Sequence, residues 1–209
     1  MKVLLVADES GRNEFLSQAP LPGCEVVTMD KLPDVPTADV DLLIDLLFTP
    51  DPLHLTSLKN TGIPLVMINS SSHDVTINPS FVRINGWPGF IGKEVLEAYC
   101  YDADLKHQTE VIVSQLGRKM EWTELANGFI GQRVIVSIIN EAFLVLEEAN
   151  ATQEAIDTAM KLGTNYPYGP FEWANLIGLR DVMSVLDTIK KSQIDLHLSM
   201  LLKEKALAQ

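Results

Sequence analysis

The chain has 209 residues, of which 46% are hydrophobic and 21% charged; this excludes a disordered polypeptide and allows one large or two small domains with a real core. A formal net charge of -12 opposes phosphate backbones and anionic head groups over the surface as a whole, so neither nucleic acid nor a membrane is an expected partner. Cys24 and Cys100 form neither a disulfide framework nor a metal-ligand set, which sets the expectation of a reduced, cytoplasmic protein without a metal.

Val3 to Ala7 reads as a buried parallel strand, too short for a secretory signal and interrupted by Asp8-Glu9. Ser10 can cap a short helix from Arg12 to Gln18. Beyond Pro20, Pro22 and Gly23, Glu25 to Met29 forms a second strand that Asp30 closes. Leu32 to Thr37, with Pro33 and Pro36, is a loop, and Val40 to Leu47 is a third apolar run. Asp51 to Lys59 is a weak helix. Ile63 to Asn69, Phe81 to Ile84 and Glu94 to Tyr99 are further strands. His107 to Leu116 is helical and Met120 to Trp122 is a last short strand. Strands alternating with helical or loop connections predict an α/β domain over residues 1–124, built on a doubly wound parallel sheet.

The remainder, residues 125–209, predicts an all-α domain. Phe129 to Glu148 is apolar on more than one face and calls for burial on several sides. Thr152 can cap the next helix, whose Ile156, Ala159 and Met160 fall at i, i+3 and i+4, and Gly163 ends it as a C′ glycine. Pro167, Gly169 and Pro170 fix a rigid loop, and Pro170 suits the first turn of a helix from Phe171. His54, His107 and His197 have no Cys, Asp or Glu at metal spacing and read as plain surface or boundary residues.

Several motifs in one order carry a resemblance. Gly128-Phe129-Ile130-Gly131-Gln132-Arg133, Glu141-Ala142, Asp157-Thr158-Ala159-Met160 with Gly163, Pro167-Tyr168-Gly169-Pro170-Phe171-Glu172 and Gly178-Leu179 match the run G-F-I-x-N-R, E-A, D-x-A-M-x-x-G, P-x-G-P-F-E, G-L. This stretch resembles the C-terminal domain of the 3-hydroxyacyl-CoA dehydrogenase family. The N-terminal part is similar as well: Asp39 to Phe48 looks like the run A-D-L-V-I-E-A-V-F, and Asn69-Ser70-Ser71-Ser72 looks like N-T-S-S. The resemblance implies a shortened Rossmann-like domain followed by a helical dimerisation domain. The activity it implies is NAD-dependent oxidation of a 3-hydroxyacyl-CoA in fatty-acid metabolism. A homodimer through the C-terminal helices is also implied.

The same resemblance implies site residues. With Phe81 to Gly89 set against F-x-G-x-H-F-F-N-P, Asn85 falls at the family's catalytic histidine, and Glu97 in Val95-Leu96-Glu97 falls at the glutamate that orients it. An amide has no useful basicity near neutral pH, so Asn85 can form hydrogen bonds but cannot take a proton. Ser71 matches the contact to the substrate hydroxyl and reads equally as a turn serine, and Gln132 stands where the family has asparagine. His73, two residues from Ser71, is a weaker candidate for a compensating base. On the cofactor side, Ala7 to Asn13 retains only Gly11 of the expected G-x-G-x-x-G, with Asp8 and Glu9 where phosphates would lie. Asp30 reads as a strand-ending turn residue or as the acid that would bind the adenosine ribose. The alternative function is a catalytically inactive dimeric relative that keeps the fold as a small-molecule-binding or scaffold protein.

Overall fold

A computed structural model of the protein describes residues 1–18, 20–33, 39–71, 80–124, 128–149, 151–192 and 195–208. The chain divides into two compact units, Met1–Ala126 and Asn127–Gln209.

The first unit holds β1 (Lys2–Val6), α1 (Glu9–Leu16), β2 (Glu25–Met29), β3 (Leu42–Asp45), α2 (Pro52–Asn60), β4 (Leu65–Asn69), β5 (Val82–Ile84), β6 (Val95–Tyr99), α3 (Ala103–Ser114) and β7 (Lys119–Trp122). The strands form one sheet in the order β2-β1-β3-β4-β5-β6-β7. Val3 and Leu5 pack in the apolar layer on one face of the sheet, Leu4 and Val6 in the layer on the other. Both faces are therefore covered, which is why β1 and β3 read as continuous apolar runs with no alternation. Strand order reverses at β1. The carboxyl ends of β1 and β3 accordingly flank the crevice where open α/β sheets place their ligands.

The sheet departs from the all-parallel expectation at one pair. β5 and β6 run antiparallel, with Ile84 opposite Ala98, whereas β1 to β5 pair in parallel and β6 pairs with β7 in parallel. The connection over residues 85–94 contains no helix and is too short for a parallel crossover. It is tied down from α1, where Glu14 Oε1 accepts the Gly89 N–H at 2.8 Å and the Gly92 N–H at 3.2 Å. Beside it the buried Arg118 guanidinium lies 4.1 Å from the Phe15 ring centroid and donates to the carbonyls of Ile91 and Phe15. Burial lowers the Arg118 pKa to about 10.

Two helix starts differ from expectation. Asp8, in place of Ser10, caps α1, and Asp102 caps α3 by accepting the Asp104 and Leu105 N–H groups. A carboxylate satisfies the free amides of a first turn and also meets the positive end of the helix dipole. The proline-rich stretch over residues 34–38 lies outside the described residues.

The second unit is all-α: α4 (Ile130–Glu147), α5 (Gln153–Thr164), α6 (Pro170–Ile177), α7 (Leu179–Ser192) and α8 (Met200–Leu207). Helix α4 buries Ile135, Val136, Ile139, Ala142 and Phe143, and Phe143 meets Phe171 of α6 edge to face with centroids 4.9 Å apart. Asn140, polar on this apolar face, donates to the His197 carbonyl at 2.9 Å and accepts the Ser199 N–H at 3.0 Å. Both functions of its amide are thus used to seat α8, as burial requires. Helix α5 begins at its expected cap, where Thr152 accepts the Ala155 N–H. It does not stop at Gly163 but runs on to Thr164, and Asn165 takes the left-handed cap conformation at φ 57°. Asn is the other residue that tolerates that conformation, so glycine was not needed there. Pro170 occupies the first turn of α6.

Candidate functional site

The expected catalytic residues of the first unit lie on and beside β4, β5 and β6, adjacent interior strands of the sheet. Antiparallel pairing brings Asn85, just past β5, against Glu97 in the middle of β6, and the Asn85 N–H donates to the Glu97 carbonyl at 3.0 Å. The side chains repeat the contact, with Asn85 Nδ2 donating to Glu97 Oε2 at 2.8 Å. Asn85 Oδ1 accepts the Trp87 N–H at 3.3 Å. Asn85 is 1% exposed and its amide is engaged at both ends, so it acts as a fixed strut more than as a free hydrogen-bonding arm. Asn69, ending β4, accepts the Gly86 N–H at 3.0 Å and donates to the Leu46 carbonyl at 3.4 Å. Gly86 is required by this close approach, since a Cβ there would lie 2.8 Å from Asn69 Cγ. Ser71 lies two residues past β4 and is half-buried. The neighbouring residues 72–79, including His73, lie outside the described residues.

Gln132 belongs to the second unit. It is buried in the first turn of α4, where its Oε1 accepts the Phe129 N–H at 3.2 Å. Its Nε2 has no partner among the described residues.

At the end of β1, the geometry runs against a pyrophosphate. The Asp8 carboxylate accepts the Gly11 N–H at 2.7 Å, and a Cβ at Gly11 would meet Asp8 Oδ1 at 3.2 Å and Leu46 Cδ1 at 3.3 Å. A dinucleotide needs free amides at this helix start, and here one amide already holds a carboxylate of the chain itself. These residues do not fit the phosphates of NAD. Asp30, at the end of β2, is ion-paired with Arg12 of α1 while its side chain remains 85% exposed, and it keeps acceptor capacity for a hydroxyl.

A third feature corrects the reading of His54 as a plain surface or boundary residue. Asp45, fully buried at the end of β3, meets His54 Nε2 at 2.6 Å. The other ring nitrogen, Nδ1, lies 3.0 Å from Thr49 Oγ1, which donates to Asp51 Oδ2 at 2.6 Å. Burial pushes the Asp45 carboxyl up from its ordinary range; the hydrogen bond and charge of His54, and the Leu47 N–H, pull it back down. The sequence carried one signal for this pair, an aspartate inside the apolar run Val40 to Leu47, because a buried carboxylate needs a partner. Next to the pair lies a pocket of about 400 Å³ lined by Val6, Asp30, Leu32, Leu47, Leu53 and His54 among others. Among the described residues, no group of three His, Cys, Asp or Glu side chains is placed to hold a metal ion, and no helix is long and apolar enough to cross a membrane.

Comparison with known proteins agrees with this architecture. Residues 128–208 match the model of the 3-hydroxyacyl-CoA dehydrogenase C-terminal domain. The chain is 33% identical over 102 residues to a 3-hydroxybutyryl-CoA dehydrogenase of Bradyrhizobium diazoefficiens, covering 49% of this chain and 35% of that protein. It is 38% identical over 86 residues to a probable 3-hydroxybutyryl-CoA dehydrogenase of Bacillus subtilis, covering 39% of this chain and 30% of that protein. The aligned regions thus span about a third of the relatives' own length. The crystal structure of (S)-3-hydroxybutyryl-CoA dehydrogenase from Ralstonia eutropha superposes with a TM-score of 0.65 at 21% identity, covering 99% of this chain and 93% of that one. That likeness establishes the fold, a Rossmann-type sheet followed by a helical domain. Residues 128–208 are thus similar to the 3-hydroxyacyl-CoA dehydrogenase C-terminal domain, and the chain as a whole shares the fold of a solved 3-hydroxybutyryl-CoA dehydrogenase.

Proposed function

We propose that the chain is a 3-hydroxyacyl-CoA dehydrogenase-like protein that keeps part of the family's substrate-side polar frame and binds a 3-hydroxyacyl thioester with little or no turnover. The observation that carries this reading is the hydrogen bond from Asn85 Nδ2 to Glu97 Oε2. The glutamate that would orient a base is present, and it holds an amide. Taking the hydroxyl proton is the task of a positioned base, whose loss costs about 10²- to 10⁴-fold in rate. No residue described beside Asn85 and Glu97 replaces it, and the first turn carries Asp8 where phosphates would lie.

A second reading, a slow NAD-dependent oxidoreductase of fatty-acid metabolism, is favoured by the family match over residues 128–208 and by the exposed Asp30 at the end of β2. Titration with NADH followed by an acetoacetyl-CoA reduction assay separates the two. The expected result is no saturable NADH binding in the micromolar range and no turnover above background. Asn85→His alone is expected to leave the rate at background, because Asp8 still closes the first turn. Measurable reduction by the unaltered chain would establish the second reading, and reduction by Asn85→His alone would show that Asp8 does not close the first turn to NADH.

We also infer a cytoplasmic homodimer assembled through the second unit. Ile130, Val134 and Leu176 are large apolar side chains left exposed on its helices. Light scattering on the eluting protein should give twice the chain mass, and a monomer at micromolar concentration would refute the dimer.

A further inference from the structure

A threonine hydroxyl becomes a nucleophile when a base stands within hydrogen-bond reach of it and a third group orients that base. The turn from β3 into α2 brings such a set together. Thr49 Oγ1 lies 3.0 Å from His54 Nδ1, and His54 Nε2 lies 2.6 Å from Asp45 Oδ2. Asp45 is fully buried, and its other oxygen accepts the Leu47 N–H at 3.0 Å, so the carboxylate is held in place. An ionised carboxylate can only accept, so it takes the Nε2 hydrogen and leaves the lone pair on Nδ1, the nitrogen that faces Thr49. Thr49 is exposed, and the open pocket of about 400 Å³ beside it is lined by Leu47, Leu53 and His54 among others.

Asp51 sets the resting state. Its Oδ1 caps α2 by accepting the Leu53 and His54 N–H groups, and its Oδ2 accepts the Thr49 hydroxyl at 2.6 Å. The hydroxyl thus has one hydrogen and two acceptors within reach. Rotation about its C–O bond carries the hydrogen from Asp51 Oδ2 to His54 Nδ1 with no heavy atom moved. An anion brought beside Oγ1 meets the Asp51 carboxylate, which favours uncharged substrates. Leu53 is 81% exposed and offers aliphatic surface that an acyl chain would cover.

We propose that Thr49, His54 and Asp45 form a nucleophilic site that hydrolyses small uncharged esters, apart from the Asn85–Glu97 pair. Thr49 Oγ1 bonds to the acyl carbon as its proton passes to His54 Nδ1. The ester C–O bond then breaks and the alcohol leaves with that proton. Water adds to the acyl-threonine, again giving a proton to Nδ1, and the acid departs as Thr49 Oγ1 takes the proton back. Asp45 touches no substrate; it is a positioning residue for the imidazole.

Hydrolysis of p-nitrophenyl acetate by the full chain tests this, with peptide mass spectrometry on acid-quenched samples to find the acetyl group. Turnover above the buffer blank is expected, with acetyl on Thr49 at early times. Thr49→Ala should lose about tenfold or more of the rate, and Thr49→Ser, which keeps the hydroxyl, should retain it. Asp45→Asn should lower kcat by about tenfold or more at unchanged KM: its oxygen stays on the Leu47 N–H, so its amide donates to Nε2 and the ring hydrogen moves to Nδ1, which can no longer take a proton. Asp51→Asn keeps a helix cap and frees the hydroxyl to turn to His54, so it should raise the rate. His107→Ala, which removes an exposed imidazole elsewhere, should leave it unchanged. No hydrolysis above the blank, acetyl groups on lysines or histidines and none on Thr49, or a folded Thr49→Ala chain as fast as the parent would overturn the proposal. The peptide map is read on the unaltered chain and decides even where a variant fails to fold. NADH-dependent reduction of acetoacetyl-CoA is read separately, so the thioester reading and this one stand or fall independently.

Discussion

Gly169→Ala is expected to destabilise the second unit by about 3 kcal/mol, the sum of an overpacking cost and a lost helix cap. A Cβ at position 169 would lie 2.3 Å from Asp157 Oδ1 and 2.4 Å from both Asp157 Cβ and Cγ. Asp157 cannot step aside without loss, because its two oxygens accept the Phe171 N–H at 2.8 Å and the Glu172 N–H at 3.2 Å. Those bonds satisfy the first turn of α6 and fasten it to α5. The glycine is needed for the space it leaves and not for its backbone, whose φ of -77° suits any residue. Gly163 is the matched control, since it lies within α5 and a Cβ there meets nothing within 4 Å. Gly163→Ala should stabilise by up to about 1 kcal/mol through helix propensity. Urea unfolding, with hydrogen exchange read at the α5 and α6 amides, checks both. A Gly169→Ala protein within 1 kcal/mol of the parent would show that the corner yields more easily than its geometry implies.

The glycine at 169 was visible in the sequence as part of a rigid loop, but its reason was not. The contact that requires it comes from Asp157 on the preceding helix, and periodicity does not report which side chain caps a neighbouring element. The same limit holds in the first unit. The apolar run at β1 reads as a buried parallel strand and the alternation of strands with connections as a doubly wound sheet; apolar layers on both faces of the sheet agree with this. The antiparallel turn from β5 to β6 was not announced, because direction is set by what a short connection can span. Of the candidate site, motif order was enough to set Asn85 beside Glu97, and the structure joins them by both backbone and side chain. Asp8 and Glu9 are legible in the sequence as carboxylates in the first turn, whereas the seat of the Asp8 carboxylate on the Gly11 amide depends on the turn's folded geometry. The role of His54 is not legible from local spacing, because its partner Asp45 is nine positions away on another element and the two form no metal-ligand pattern. An ionisable residue inside a buried strand is the clue that could have found it.

That pair supports the second large effect. His54→Ala is expected to destabilise the first unit by about 3 kcal/mol or more at neutral pH, because removing one partner leaves a carboxylate buried and uncompensated. Asp45 is fully buried, whereas the His54 side chain is 17% exposed, so the charge left behind has no route to solvent that the imidazole had. The loss also includes the edge contact of His54 with Phe48, whose centroids are 5.4 Å apart. Burial raises the Asp45 pKa, and His54 is the main influence lowering it, so the variant carries the carboxyl further upward. A group with a raised pKa contributes stability that is present below its unfolded value, about 4 for aspartate, and is lost as pH rises through the folded one. The deficit of His54→Ala should therefore be smallest near pH 4 and grow toward pH 7, opposite in sign to ordinary acid denaturation. Asp45→Asn introduced into the His54→Ala chain should recover much of the neutral-pH loss, since the amide is uncharged and keeps an acceptor for the Leu47 N–H now bonded at 3.0 Å. Denaturant midpoints for the single and double variants across this pH range decide the matter. A deficit that stays constant with pH, and that Asp45→Asn does not relieve, would mean that His54 stabilises by packing on Phe48 and not by its bond to Asp45.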